Sequence, residues 1–198
     1  MKKLPILLSL SLSTAVLFTS CKKTEDAQSN SEIETTFELS GRQATSDNIN
    51  EDDNLILNEA AEEKGLQGNF APQTEPSNII FGCATVTVSQ GGFPKTILID
   101  FGAGCLSNGI FRKGKINVVL SDSLRHTGST SVMTFDNYFV NGFKREGTIT
   151  WKNLSTSTVK SWQRTVENGK FTAPDGKFWV HNGTAIVTQT VGWGTINP

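Results

Sequence analysis

Histidine is almost missing from this 198-residue chain. It has two, His126 and His181, and they fall in different predicted elements. The shortage removes the usual general base and the commonest metal ligand from most arrangements. No HExxH, GxSxG, P-loop or dinucleotide fingerprint is present. Cysteine is scarce too, at Cys21, Cys83 and Cys105. Cys83 and Cys105, without a neighbouring histidine, fall short of four ligands, so neither a metal nor a cofactor is expected. Long apolar runs are also lacking. The best, Leu4 to Phe18, is too short and too rich in serine for a good membrane span.

What remains for catalysis is thin. Ser123, His126 and Asp122 sit together in SDSLRHTGS, a turn that fixes no orienting geometry. Paired carboxylates would have to come from Asp100, Asp122, Asp136, Glu146, Glu167 and Asp175. Asp136 stands out because its strand is apolar around it, although a hydrogen bond to nearby backbone or side chain is the simpler role. Gly102 and Gly104 read as bulge or close-packing glycines rather than a phosphate cradle. Asn48, Asn50, Asp52 and Glu59 mimic the spacing of a calcium loop, but Asp53 stands where the turn needs glycine. The expectation is a protein that is not an enzyme.

What is present begins with an export signal. Lys2 and Lys3 precede the apolar run, so residues 1–20 read as a signal peptide. Phe18-Thr19-Ser20-Cys21 resembles a bacterial lipobox, which implies lipidation at Cys21 and stable anchoring by acyl chains. Lys22-Lys23-Thr24-Glu25-Asp26 resembles the charged signal of some surface lipoproteins of Bacteroidota, with a solvated tether as the other reading.

Residues 22–48 are polar without sustained periodicity and read as a linker. Residues 49–64 look helical, with Ile49, Ile56 and Ala60 on one face, Asp53 breaking the stripe, and Gly65 ending it. Residues 22–77 hold 13 acidic and 4 basic residues, whereas residues 78–198 hold 6 and 12. Either the acidic segment lies against the basic domain or the domain meets an anionic partner. An acidic solubilising tether is the plainer reading.

From residue 78 the pattern is β. Thr130 to Lys152 makes two strand-like runs around Asn141-Gly142, a dipeptide suited to a tight hairpin. On the first arm alternation sets Met133, Phe135, Asn137 and Phe139 against Val132, Thr134, Asp136, Tyr138 and Val140. On the second, Ile149 and Trp151 face in while Thr148, Thr150 and Lys152 face out. Further strands are expected at 115–121, 157–167, 170–173, 177–181 and 184–191. The runs ending near Cys83 and Cys105 flank the turn-rich Gln90–Pro94. Folding about that link brings the two cysteines opposite one another, and an exported compartment favours a disulfide over two buried thiols.

Trp151, Trp162, Trp179 and Trp193 fit a core better than a sugar platform, with Trp179 and Trp193, near turns, as the candidate ligand-binding pair. The basic residues (Lys113, Lys115, Arg125, Lys144, Arg145, Lys152, Lys160 and Arg164) are scattered along the sequence. Nucleic acid is therefore not an expected partner.

PKTILIDFGAGC (94–105), GKINV (114–118), MTFDNYFVNG (133–142), EGTITWKN (146–153) and the run from Trp162 to Lys170 resemble exported lipoproteins of Bacteroidota. No activity is assigned to that family, so no functional residue carries over. Its members continue with further strands, so the resemblance implies an incomplete sheet with an edge near Thr184–Val191.

The reading is thus an all-β protein, an antiparallel meander forming a sandwich or strongly curved sheet. Its parts are a signal peptide (1–20), a lipidated cysteine, flexible acidic tether and short helix (21–77), and a β domain (78–198). The expected place is the outer membrane, at the cell surface or periplasmic face. The expected role is non-catalytic binding of a glycan or protein, with lipid or lipopolysaccharide handling on a curved sheet as the alternative.

Overall fold

The computed structural model describes residues 27–68 and 83–190, with side chains from Glu34 onward. Cys21 and Trp193 lie outside the described residues. Two compact units divide the chain, Met1–Phe37 and Glu38–Pro198. The second carries the sheet and, from Glu38 onward, the helix packed on it.

Among the described residues nine antiparallel strands form one open sheet: β1 (Thr85–Val88), β2 (Lys95–Asp100), β3 (Cys105–Ser107), β4 (Ile110–Leu120), β5 (Thr130–Val140), β6 (Phe143–Asn153), β7 (Ser161–Thr172), β8 (Phe178–Val180) and β9 (Gly183–Thr188). The spine is β1-β2-β4-β5-β6-β7-β8, with β3 also on β4 and β9 also on β7. The expected all-β meander is therefore present. The Asn141-Gly142 turn joins β5 and β6, with positive φ at both residues (47° and 85°).

Helix α1 (Ala27–Glu63) is longer than the sequence pattern indicates and takes in most of the segment read as a linker. It ends at Gly65 (φ 68°), where Gly65 N–H donates to Glu62 O and Leu66 N–H to Ala61 O. That pair of bonds closes the last turn, and it needs a left-handed residue. Ile49, Ile56, Leu57, Ala60 and Ala61 share one core with Ile97, Ile99, Ile116, Val118, Leu120, Met133, Ile149, Trp151 and Val166. From Glu38 onward, α1 thus covers one face of the sheet, here the inner face.

Alternation fails at one row. Asn137 (φ 46°) in β5 and Asn168 (φ 52°) in β7 are extra residues, and they stand beside Gly114 (φ 85°) in β4 and Gly147 (φ 105°) in β6. A Cβ on Gly114 would lie 2.1 Å from Asn137 O, and one on Gly147 2.5 Å from Asn168 O. Bulges bend their strands and reverse which side chains face inward. So Tyr138 and Val140, not Asn137 and Phe139, continue the inner face begun by Met133.

Cys83 and Cys105 form the expected disulfide, with Cα atoms 5.6 Å apart. It closes a sequence separation of 22 residues. Its reduction is expected to cost on the order of 3 kcal/mol by the chain-entropy argument. The check is urea unfolding of the protein with and without reductant; an unchanged midpoint would contradict it.

Candidate functional site

The residues proposed for catalysis do not assemble. Asp136 is exposed and accepts from Asn137 Nδ2, at 3.2 Å. His126 Nδ1 meets Asp122 Oδ2, but both side chains are at the surface, 66% and 42% exposed. That hydrogen bond and one from Ser123 N–H hold the Asp122 carboxyl below its usual range. Gly104 is a close-packing glycine, since a Cβ there would be 2.5 Å from the Phe111 ring. The calcium-like spacing lies inside α1, where no loop exists. Among the described residues no cluster of ligand side chains suits a metal.

Trp179 is half-buried on the inner face. Its Nε1–H donates to Ser46 Oγ at 2.8 Å, and its ring stacks on Phe171 at 5.7 Å. Arg42 lies 5.9 Å from its centroid. It clamps α1, and no ring face is shown open to a sugar. Trp151 is buried, and Trp162 packs against the core.

Three arginines on inward positions of β4, β6 and β7 carry the contact with α1. Arg112, 2% exposed, meets Asp52 through Nε (3.1 Å) and Nη2 (2.5 Å). Arg164 binds Asp47 Oδ1 at 2.7 Å and Glu51 Oε1 at 2.9 Å. Burial raises Glu51 despite Arg164, while at Asp47 burial is outweighed by hydrogen bonds from Gln43 and Arg164, which lower it. Arg145 donates to Glu146 O and to Asn50 Oδ1 (3.2 Å), and lies 4.7 and 4.5 Å from the Phe135 and Phe171 centroids.

Asp53 interrupts the apolar stripe of α1 because it meets Arg145. The nearest approach is 3.8 Å, and the buried Tyr138 hydroxyl is the other polar group beside the carboxyl. Full burial outweighs the arginine, and the carboxyl is pushed up to about 8. The folded state therefore holds a proton that the unfolded chain releases near pH 4. This contribution is complete below the unfolded value and is lost as pH rises toward 8. The Asp53 contribution is therefore lost across pH 5–8, and wild type is expected to lose more stability over that range than Asp53→Asn. Urea midpoints at pH 5, 6.5 and 8 check this; equal slopes in both proteins would contradict it.

A cavity of about 10 Å³ lies between α1 and the sheet, lined by Asn54, Asn58, Ser129, Ser131, Trp151 and Trp162 among others. It has room for one water molecule at most. No ligand-sized chamber is described there.

The opposite, outer face carries the better candidate. Lys113, Phe139, Lys144, Thr172 and Phe178 form one register row across β4, β5, β6, β7 and β8. The next row holds Glu146, Lys170 and Val180. Lys113 Nζ lies 4.2 Å from the Phe139 centroid and Lys170 Nζ 4.8 Å from that of Phe178. Phe178 is 59% exposed, and Leu106 and Phe111 extend the apolar surface along β3 and β4. Lysines scattered in the sequence are thus gathered by pairing into one patch. Among protein-family models, curated proteins and solved structures, none matches this chain.

Proposed function

We propose that this is a lipid-anchored protein of the cell envelope, attached to the outer membrane through Cys21, that binds a glycan or a protein without catalysis. The observation that carries the binding role is the interleaving of lysine and phenylalanine on the outer face of β4–β8. Aromatic faces and ammonium groups side by side suit a ligand with apolar faces and polar or charged edges. Solvent-exposed apolar surface gathered into one patch is a common mark of an interaction site.

A lipid or lipopolysaccharide handler would offer an apolar inner face, and that face is the one α1 fills. No described helix is long and apolar enough to cross a membrane.

Two measurements test this reading. Wild-type protein is expected in the membrane fraction and the Cys21→Ala chain in the soluble fraction; retention of the variant would overturn the anchor. The soluble Cys21→Ala chain, titrated calorimetrically with envelope polysaccharides and secreted proteins, is expected to show saturable binding and no ligand turnover. Turnover, or no saturable binding to any of them, would overturn the binding role.

A further inference from the structure

The charge of the β unit has two separate destinations. Arg112, Arg145 and Arg164 face inward, where α1 supplies Asp52, Asp53, Asp47 and Glu51. They are committed within the fold. Lys113, Lys144 and Lys170 face outward at the end of the sheet, where the carboxylate among them is Glu146. Glu146 Oε1 lies 2.9 Å from Lys144 Nζ and its Oε2 3.8 Å from Lys170 Nζ. The hydrogen bond from Lys144, with Lys170 also nearby, holds its carboxyl below the usual range. It is ionised, so the patch carries three positive charges and one negative. Glu146 tethers two of the ammoniums in the neighbourhood of the Phe178 ring rather than cancelling them.

We infer that the ligand of this patch is an anionic polysaccharide lying across strands β4 to β8 on the row Lys113–Phe139–Lys144–Thr172–Phe178. This rests on the binding role proposed above and names its ligand class. Adjacent strands are about 4.8 Å apart, so Lys113 and Lys144 stand roughly 10 Å apart, with Phe139 between them. Phe178 follows Lys144 by a similar interval, roughly 10 Å. Cation and ring positions therefore follow one another along a line, one strand apart from Lys113 to Phe139 to Lys144 and two strands apart from Lys144 to Phe178. An extended chain whose sugar units carry carboxylate or sulfate groups presents the matching alternation of anionic edge and apolar ring face. Charge complementarity of this kind fixes register and steers encounter. A membrane surface is less well served, because two of the rings lie close to ammonium groups that would have to be desolvated with them.

The test uses the full chain with Cys21→Ala, titrated with polygalacturonate, with its fully methyl-esterified form, with polyglutamate, and with phosphatidylglycerol vesicles. The expected result is saturable binding of polygalacturonate and at least tenfold weaker binding of the ester. Lys113→Gln/Lys144→Gln/Lys170→Gln is expected to weaken polygalacturonate binding at least tenfold with an unchanged urea midpoint. Phe178→Ala is expected to weaken it several-fold, a loss that a purely electrostatic contact would not show.

Equal binding of acid and ester would overturn the anionic assignment and leave the glycan role standing. Polyglutamate bound with neither glycan would overturn it in favour of a protein partner. Vesicle binding alone, or no binding at all, would overturn the ligand class, while the binding role itself stands or falls with the titrations of envelope polysaccharides and secreted proteins.

Discussion

Replacing Arg145 by alanine is expected to destabilise the protein by about 3–5 kcal/mol, in the range of large-to-small core substitutions that also break buried hydrogen bonds. The side chain is almost wholly buried, so truncation leaves a cavity against Phe135 and Phe171. It also strips Glu146 O and Asn50 Oδ1 of a donor. A small domain has only some 5–15 kcal/mol in total, so much of the population would unfold under mild denaturant. The double variant Arg145→Met/Asp53→Leu restores volume and removes both buried polar groups. It is expected to recover part of the loss, because the volume returns and the buried pair is gone, while Glu146 O and Asn50 Oδ1 stay without that donor. Urea unfolding of the three proteins measures this. A single-variant loss below about 1 kcal/mol, the scale of an ordinary surface or mid-range substitution, would mean that the arginine contributes little.

Gly114→Ala is expected to cost about 3 kcal/mol or more, combining an overpacking clash with an unfavourable backbone conformation. The added Cβ would be 2.1 Å from Asn137 O and 2.8 Å from Asp136 O, both backbone atoms of the paired strand. Neither can move without parting β4 from β5. Gly91 supplies the control. Its φ of 87° is nearly the same, but nothing lies within 4 Å of a Cβ there. Gly91→Ala should therefore show only the backbone cost, about 1–2 kcal/mol. The difference between the two urea-derived losses isolates the close approach. Equal losses would show that strand contact at Gly114 is not limiting.

Much of the sheet is readable from alternation. The β5–β6 hairpin, the inward placing of Ile149 and Trp151, and the pairing of β1 with β2 about Gln90–Pro94 follow from period, turn residues and cysteine position. Asn137 is not readable in that way, because a bulge has the same composition as regular strand and changes only the count. The inner arginines escape for a related reason: in a sequence, arginine reads as surface charge. Their signal is nevertheless there. Arg112 shares parity with Ile116, Arg145 with Ile149, and Arg164 with Val166, and four carboxylates crowd into Asp47–Asp53. A charge on the apolar side of a strand asks for a partner, and the acidic segment is the one rich supply. The outer patch is hidden because Lys113, Lys144 and Lys170 are brought together by register, which needs the bulges to be placed first.

The place of α1 changes what counts as the smallest piece able to fold. Strands alone suggest cutting the chain before β1, yet Arg112, Arg145 and Arg164 would then lose Asp52, Asp53, Asp47 and Glu51 together with Ile56, Leu57 and Ala60. The sheet expressed by itself would expose a greasy face studded with unmatched guanidinium groups, and it should collect in inclusion bodies. A peptide spanning residues 38–68, added during refolding, should rescue it. In that sense the protein is a self-complementing pair whose two halves happen to share one backbone.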